Sequence, residues 1–553
     1  MSGFEEGGAV MSRTAERKSS ERRFVSALRS STLSRRALLG RAGVFAAGVV
    51  GGSSILSGGL PRVTVQGAAS PIPKAGGVLR VAISDGGAND VLDPRIQTNN
   101  FEPICIGMMY ESLVVNDNGF QSHPKLATSW EASKDAKTWT FHLRRGVEFH
   151  DGSKLTVKDA LYSINLQTNP NQGGGSSGSP WAKTLGPIVQ ELKALDDYTL
   201  RFTLNTPTVF LPLTLGTRYG RIVKDMTTDF SKPIGTGPYA FESFSPGQAF
   251  SATRNPHYWQ NGRPYLDKVV VTNIPEQASK LQALLANQVD LIDNIDFSLA
   301  GTVKASPGHQ TISLKDAVWW AVSMDPRKNP VFKDARVVKA IKLAVNRTEL
   351  LNSVFAGFGS IAYDNVIPGS DPYFANLPQP PHDVAAAKSL LREAGSANGL
   401  NLELTVAPLE GSIVNFAVAI KQQLAEAGIR VDVKQVPSGT FWDQVWLHNP
   451  MYIPSWNRRH PDEILSLAFV SSGPWNETAF ANPAVDAAVK AARSTIDLGK
   501  QKEAYAVCQK ILSEQDSHLL PVYRDRIWGA TNKLHDVQLN FVTFSDYTNS
   551  WMG

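Results

Sequence analysis

The segment 402–436 restricts the possible folds more than any other part of this chain. Residues 402–406 have the pattern of a strand and are followed by an amphipathic helical pattern at 413–427. Apolar and polar residues then alternate at 429–436. Gly428 separates the last two patterns, and glycine commonly ends a helix. A strand, a helix and a second strand in this order form a βαβ unit, whose strands pair in parallel. The sequence therefore predicts a parallel sheet, and an α/β fold, in this half of the chain.

The amino-terminal half shows a different pattern, which is typical of antiparallel hairpins. Trp139 and Phe141 alternate with polar residues, as in a strand with one buried face. A second alternating pair, at 188–195 and 199–204, is separated by a short acidic turn. We therefore expect mixed sheets, with a hairpin-rich subdomain at about 120–215.

The chain is long enough for more than one domain, and its charge is unevenly distributed. It has 553 residues, of which 42% are hydrophobic and 19% are charged, as in soluble globular proteins. Residues 1–69 carry 10 Lys and Arg against 4 Asp and Glu, and the rest of the chain carries 45 against 46. The formal charge of +5 therefore comes from the amino terminus. Because the body of the protein has no basic excess, we expect no nucleic-acid partner.

Residues 1–69 have the pattern of a twin-arginine signal peptide. Arg35 and Arg36 follow a long basic segment, an apolar stretch rich in Gly and Ala covers 42–56, and small residues at 67–69 offer a cleavage point. The alternative is a membrane anchor, but the stretch falls short of the ~20 apolar residues that a spanning helix needs. It has no cysteine near its end, so it does not fit a lipoprotein. We expect a soluble protein that is exported to the periplasm.

One segment carries the most specific pattern in the chain. It reads Ile-Gly-Thr-Gly-Pro-Tyr at 234–239, Arg-Asn-Pro-His-Tyr-Trp at 254–259 and Gly-Arg-Pro-Tyr-Leu-Asp at 262–267. Gly235 and Gly237 indicate a turn where the backbone needs conformational freedom. The pattern resembles the signature of the family 5 bacterial extracellular solute-binding proteins, the dipeptide, oligopeptide and nickel-binding components of ABC importers.

The resemblance covers 75–540, because further segments match motifs of the family in the same order. They are Leu-Asp-Pro at 92–94, Tyr-Glu-Ser-Leu at 110–113, Arg-Gly-Val-Glu-Phe-His-Asp-Gly at 145–152 and Asn-Arg at 346–347. Many separate segments in the right order are far more specific than a single motif. The resemblance implies a two-lobed periplasmic binding protein of type II, in the large family 5 form.

In this family the chain crosses a hinge twice, so that one lobe is built from two separate parts. We expect the crossings near 272–276 and 519–524. The first lobe would then consist of 70–274 and 519–553, and the second lobe would consist of 275–518.

The resemblance implies a binding protein rather than an enzyme. Such a protein captures a peptide or a peptide-like small solute and delivers it to ABC permease subunits that separate ATPases drive. The sequence has no phosphate-binding loop of its own, and we expect a monomer without cofactor or metal. A secreted hydrolase and a chemosensory binding protein without a transport role are the alternatives. The Gly-x-Ser-x-Gly motif at 174–178 gives the hydrolase little support, because it lies in a Gly- and Ser-rich loop.

The segment 451–462 is the most informative about the ligand. In dipeptide-binding relatives the matching loop is acidic and holds the amino terminus of the ligand, whereas here Arg458, Arg459 and His460 follow Trp456. An arginine that faces the cleft offers a planar fork to a carboxylate or phosphate. We therefore expect an anionic group on the solute, held by Arg459 with help from Arg458 or His460. The alternative is that both arginines point outward and bind nothing.

Trp456 and five further residues are also candidates for the ligand-binding surface. Trp475 and Asn476 resemble a segment near the cleft of relatives, where the Trp475 ring would stack on a ligand; core packing is an equal alternative. Alternation along the strand predicts one buried and one cleft-facing ring in the adjacent tryptophan pair, and Trp320 is the candidate for the cleft. In the first lobe, Asn100 and Phe101 resemble a position where relatives contact the ligand.

The two cysteines exclude a disulfide scaffold in so long a chain. Cys105 and Cys508 each fall on an apolar helical face, so we expect both to pack as small hydrophobic residues. A disulfide between them in an oxidising compartment is the alternative.

Overall fold

The computed structural model describes residues 72–97, 99–169, 179–540 and 546–553. The predicted signal peptide and the Gly-x-Ser-x-Gly motif lie outside these ranges. The strands are β1 Val78–Ile83, β2 Val114–Asn116, β3 Ser122–Pro124, β4 Ala127–Ala132, β5 Thr138–Leu143, β6 Val189–Asp196, β7 Thr199–Leu204, β8 Tyr239–Ser245, β9 Ala249–Arg254, β10 Lys268–Asn273, β11 Leu291–Ile292, β12 His309–Trp320, β13 Val322–Met324, β14 Gly359–Ile361, β15 Leu400–Val406, β16 Ile429–Gln435, β17 Met451–Tyr452, β18 Ser455–Asn457, β19 His518–Leu519, β20 Val522–Thr531, β21 Leu534–His535 and β22 Trp551–Met552.

Helices form many of the connections between these strands. They are α1 Phe101–Met109, α2 Val157–Thr168, α3 Pro180–Thr184, α4 Leu211–Leu215, α5 Gln277–Leu285, α6 Phe297–Ala305, α7 Ala335–Leu343, α8 Arg347–Ser353, α9 Val384–Glu393, α10 Ile413–Glu426, α11 Ser438–Thr440, α12 Pro461–Ala468, α13 Pro483–Arg493 and α14 Leu498–Gln515. Short 3-10 helices lie at Gly186–Ile188 and Pro330–Lys333, and a π-helix lies at Phe441–Val445. Within the described ranges, no helix combines the length and the apolar character needed to cross a bilayer.

The largest sheet of the described residues has nine strands, and we call it the large sheet. Eight strands follow the order β18-β12-β20-β11-β1-β10-β9-β8, and β14 pairs with β20. The central strand β1 pairs in parallel with both β10 and β11. Its residues Leu79, Val81 and Ile83 are fully buried, as expected for a parallel strand whose faces are covered.

A second sheet of five strands, the small sheet, has the order β16-β15-β17-β13-β19. β15 and β16 pair in parallel along their whole length, and α10 connects them. The βαβ unit that the sequence predicts at 402–436 is therefore confirmed. Its helix buries Phe416 and Ile420 against the sheet, because its apolar residues recur at helical spacing.

The predicted hairpins form a four-stranded antiparallel sheet with the order β4-β5-β7-β6. Trp139 and Phe141 point from β5 into a separate core, where the ring centroid of Phe141 lies 5.7 Å from that of Phe202. This core explains the alternation in the sequence, since the opposite face of the same strand carries polar residues.

Two neighbouring strands, β12 and β20, connect the large sheet to the small sheet. β12 continues into β13 at Ala321, and the chain returns from β19 to β20 through Leu520 and Pro521. Beyond 272–276, where the sequence predicts the first crossing, β11 and β12 still pair with strands of the large sheet. The short strands β14 and β18 also pair with β20 and β12 of that sheet. We call the parts around the large and small sheets the first and second lobes.

The two cysteines lie in different cores. Cys105 in α1 and Cys508 in α14 are both free thiols and fully buried. Burial raises the pKa of the Cys508 thiol to about 12 and raises the pKa of Cys105 as well. The expected packing is confirmed, and the alternative of a disulfide between them is wrong.

Candidate functional site

The carboxyl ends of strands from both sheets lie at one seam between the lobes. In the first lobe, Ser84 and Asp85 follow β1, and Asp293 follows β11. In the second lobe, the loop 407–412 follows β15 and leads into α10. Ligands of open α/β sheets bind outside the carboxyl ends of the strands. The seam is therefore the candidate binding site, and we call it the cleft.

Side chains of the two lobes contact each other across the cleft. Ser412, which precedes α10, donates from Oγ to Asp296 Oδ2 at 2.8 Å. Gly411 permits this approach, because a Cβ at that position would collide with Asp296 Oδ2. Arg524 of β20 forms an ion pair with Glu410 of the second lobe. The lobes are thus closed on each other in this structure.

Besides Asp296, the first-lobe side of the cleft carries the carboxylates of Asp85 and Asp293. Asp85 Oδ2 accepts hydrogen bonds from Asn100 N at 3.0 Å and from Asn100 Nδ2 at 2.6 Å. Burial raises the pKa of Asp85, the charge of Asp293 raises it further, and the bonds from Asn100 and the charge of Arg526 oppose the rise. Asp293 is paired with Lys280, whose Nζ lies 2.5 Å from Oδ1. The predicted site residue Asn100 therefore lies at the cleft, where it orients Asp85.

Arg458 and His460 are engaged in the packing of the protein. Arg458 Nη2 donates to Asp371 Oδ2 at 2.8 Å, and both side chains are buried. His460 caps the start of α12, and its Nδ1 accepts from Asp462 N at 3.1 Å. Burial lowers the pKa of His460 to about 3, so the ring is neutral at physiological pH. These contacts argue against the expected help of Arg458 or His460 in holding an anion.

Arg459 is the member of this loop that reaches the surface. Its side chain is 30% exposed and forms an ion pair with Glu463. Its guanidinium lies 5.9 Å from the ring centroid of Trp456 and 5.6 Å from that of Trp475, an arrangement that attracts a cation to the indole faces. An anion that binds Arg459 must therefore compete with Glu463.

Trp456 and Trp475 belong to a cluster of tryptophans in the second lobe. Trp456 stacks on Trp319 with a centroid distance of 5.5 Å and an interplanar angle of 8°. Trp475 lies 5.7 Å from Trp456 and 5.9 Å from Trp446. Glu477 fixes the cluster, because its Oε1 accepts from Trp446 Nε1 at 2.6 Å and from Trp456 Nε1 at 3.1 Å. Trp456 is buried, whereas Trp475 is half-buried and keeps part of its ring at the surface.

Three other predicted residues lie in the packing of the protein. Phe101 is fully buried in the core of the first lobe. Trp319 and Trp320 are each 1% exposed, so the prediction that one ring of the pair is exposed is wrong: both faces of β12 are covered. Asn476 braces its own loop, where Nδ2 donates to Phe480 O at 2.6 Å and Oδ1 accepts from Phe480 N at 3.0 Å.

Comparison with known proteins identifies the family. Residues 121–477 match the family described as "Bacterial extracellular solute-binding proteins, family 5 Middle". The chain belongs to this family. Its relatives include heme-binding protein A of Haemophilus influenzae, which is 27% identical over 71% of this chain and 77% of that protein. Di/tripeptide-binding protein 2 of Pseudomonas aeruginosa is also 27% identical, over 71% of this chain and 79% of that protein.

A solved structure shows the same fold as this family 5 protein. It is the periplasmic binding protein DppA from Helicobacter pylori in complex with the peptide STSA. The TM-score is 0.73 at 24% sequence identity, over 87% of this chain and 98% of that chain. The likeness shows the two-lobed fold of periplasmic binding proteins, with mixed sheets, that the sequence resemblance implies.

The charged residues that line the cleft are not predicted from the sequence of this family 5 protein. Arg524 and Arg526 stand on either side of Asp525 in the segment Val-Tyr-Arg-Asp-Arg-Ile-Trp (522–528), whose other residues are hydrophobic. Two cations on one face of a buried strand are a signal that could have found them. Asp85 and Glu410 lie in loops, where only the topology of the strands shows that they meet.

The chemistry of the cleft is that of a binding site for polar groups. Carboxylates and guanidinium groups supply acceptors and donors from both lobes. In the part of the chain that the structure describes, no three or more His, Cys, Asp or Glu side chains are grouped so that they could hold a metal ion.

Proposed function

We propose that this family 5 protein is the solute-binding component of an ABC importer and that it captures a peptide or a peptide-like small solute in the cleft. The supporting observation is the set of contacts across the cleft, Ser412 with Asp296 and Glu410 with Arg524. Groups from both lobes reach one solute only when the lobes are closed. A solute bound to both lobes therefore shifts the population towards the closed form.

The solute that we propose carries an anionic group. Of the three cationic candidates at 458–460, Arg458 is paired with Asp371, His460 is neutral, and Arg459 is partly exposed. Arg459 is therefore the candidate of that loop for the anionic group, with the exposed part of Trp475 beside it. Asn100 contributes through Asp85 on the other side of the cleft.

The proposal includes a location and partners. The twin-arginine pattern at 1–69 supports export to the periplasm, where ABC permease subunits in the membrane would receive the solute from a monomeric binding protein. We propose that the second lobe is formed by 322–519 around the small sheet, with β14 and β18 of this range joining the large sheet at the connection between the lobes. The first lobe would then be formed by the preceding and following residues.

Native mass spectrometry of the purified protein tests the function. We expect a small solute to co-purify, and we expect calorimetry to detect binding of members of a panel of di- and tripeptides and glutathione. Recovery of the added peptide unchanged would distinguish binding from the hydrolase alternative. Capture of permease subunits would distinguish transport from the chemosensory alternative. A protein that carries no solute and binds no panel member would contradict the proposal.

A further inference from the structure

Two arginines of β20 face the cleft from the connection between the lobes. Arg524 and Arg526 are two residues apart in a strand, so their side chains leave the same face, opposite to Asp525. Arg524 forms an ion pair with Glu410, and Arg526 Nη2 donates to Asn457 Oδ1 at 2.8 Å. Glu410 lies in the loop after β15 at the cleft, and Asn457 is the last residue of β18, an edge strand of the large sheet.

The two guanidinium groups are incompletely paired. The Arg524 side chain is 4% exposed, and neither its Nε nor that of Arg526 has a hydrogen-bond partner among the described residues. Burial lowers the pKa of both arginines, and the charge of Arg526 lowers the pKa of Arg524 further. Two like charges at this spacing are unfavourable unless anions lie near them. The charges of Asp296 and Asp525 act on Arg524, and those of Asp293 and Asp85 act on Arg526, so carboxylates of the protein offset part of the repulsion.

The surroundings of Arg524 add a third donor. Its guanidinium lies 4.8 Å from the ring centroid of Trp320 and 5.8 Å from that of Phe297. The Nε1 of Trp320 is buried and has no hydrogen-bond partner in the described part of the chain. Arg524 Nε and Trp320 Nε1 are N–H donors without acceptors among the described residues, and Arg526 Nε, on the same face of β20, is a third. Such donors suit a group that has acceptors only, and an ionised carboxylate is such a group.

We propose that Arg524 and Arg526 form the inner anion anchor of the cleft, which holds a carboxylate of the solute, and that Glu410 occupies this anchor when no solute is bound. The inference rests on the proposed function, because it names the chemistry of the group captured in the same cleft. Arginine is suited to the task, since its planar fork pairs with a carboxylate through two parallel bonds.

Glu410 has the chemistry and the position to substitute for a carboxylate of the solute. It lies in the loop after β15, where Ser455 Oγ donates to its Oε1, and its side chain is 19% exposed. When one carboxylate replaces another, the charge that is paired with Arg524 stays the same. The solute therefore displaces Glu410 without leaving Arg524 as an unpaired buried cation.

Isothermal calorimetry with paired probes tests the anchor. The probes are di- and tripeptides with a free carboxyl terminus, compared with the same peptides as carboxyl-terminal amides. We expect the amides to bind wild-type protein roughly 10- to 150-fold more weakly, the range for loss of a charge-assisted hydrogen bond. Arg526→Gln should lose this discrimination, while Glu410→Gln should bind the free acids at least as tightly as wild type. Arg336→Gln is the control, because Arg336 is 49% exposed and bonds to Asp334 and to the carbonyl oxygen of Glu393, outside the cleft.

The sign of the Glu410→Gln effect separates the anchor from a merely structural ion pair. If the Arg524–Glu410 pair only holds the lobes together, Glu410→Gln should weaken the binding of acids and amides alike, and the proposal fails. Equal binding of acids and amides, or no binding of any free acid, also overturns it. In the first of these cases the amides still bind, so capture of a peptide by the cleft stands although the anchor does not.

Discussion

Gly235 lies against the carbonyl group that ends α1. A Cβ at Gly235 would collide with Met109 O, and a Cβ at Gly237 would collide with Met108 O. The approach is fixed by backbone hydrogen bonds, in which Gly237 N donates to Met109 O at 2.9 Å and His150 N donates to Gly235 O at 2.9 Å. The absence of a side chain therefore allows this loop to contact the end of the helix.

We expect Gly235→Ala to lower the free energy of unfolding by about 1–3 kcal/mol, the usual cost of an overpacked site. Urea denaturation at neutral pH measures it. Gly301→Ala is the matched control: it lies in α6, has open space around a Cβ among the described residues, and should be neutral or slightly stabilising because alanine favours helix. Equal stabilities of the two variants would contradict the prediction.

Arg459 is the test case for the surface loop of the second lobe. If it holds an anionic group of the solute, Arg459→Ala should weaken binding roughly 10- to 150-fold, since such a bond contributes about 1.5–3 kcal/mol. Arg459→Lys should restore only part of the affinity, because an ammonium group cannot form the planar fork. Calorimetry with the free-acid peptides checks both variants, with the exposed Arg430 replaced by alanine as control. Unchanged affinity of a folded Arg459→Ala protein would leave the arginines of β20 as the anion site.

At the residue scale, the sequence predicts the chemistry of a side chain better than it predicts which residues surround that side chain. The glycines at 235 and 237 are correctly placed in a tight connection, but neither has positive φ; their role is close approach. His460 is a titratable residue in a promising loop, yet packing against Phe120, Phe210 and Tyr373 makes it neutral. Which side chains surround a residue depends on contacts between distant segments, and no local pattern records them.

At the scale of elements, a buried histidine links two segments of the second lobe. His518 lies at the start of β19, where Nδ1 is 2.6 Å from Asp516 Oδ2 and Nε2 is 2.9 Å from Glu477 Oε2. Burial alone would lower the pKa of His518, but the two carboxylates raise it to about 9. Glu477 also accepts the indole N–H groups of Trp446 and Trp456. The charged histidine thus stabilises the carboxylate that orders the tryptophan cluster.

The raised pKa has a definite sign in the stability of the protein. Because it lies above the value of 6.5 for a free histidine, the contribution of His518 is fully present below pH 6.5 and is lost as the pH rises through about 9. His518→Asn should lower the free energy of unfolding by about 3–5 kcal/mol at neutral pH. In this variant the free energy of unfolding should also decrease less between these two pH values than it does in the wild type. Urea titrations at several pH values measure both effects, with the exposed His382→Asn as control. A variant that keeps the wild-type dependence on pH would exclude this role.

Elements with local periodicity are predictable, whereas their partners across the chain are not. The βαβ unit and the hairpin of β6 and β7 are confirmed. Both are predictable because each lies within about 35 consecutive residues. The pairing of β11 with β20 joins segments more than 200 residues apart, and β11 has only two residues. No periodic pattern can identify so short a strand, so the sequence alone does not predict that the large sheet continues beyond 272–276.

At the scale of the whole molecule, the amino-terminal pattern predicts the route of export. Replacement of Arg35 and Arg36 by lysines should leave the precursor in the cytoplasm, because the twin-arginine machinery reads this pair. Fractionation of cells that express the full chain measures the effect, with Arg29→Lys outside the pair as control. Undiminished periplasmic accumulation of the double variant would point to the general secretory route.

The separate burial of Cys105 and Cys508 gives each lobe its own chemical reporter. A thiol with a raised pKa and no exposed surface reacts with an alkylating reagent only when its surroundings open. Pulsed alkylation followed by peptide mass spectrometry therefore measures the free energy of opening around each cysteine, without any engineered probe. A solute held by both lobes should slow labelling at both sites, by a factor that grows with its concentration over Kd. Protection of one cysteine alone would show that the solute is held by a single lobe, so the two thiols measure which half of the molecule captures it.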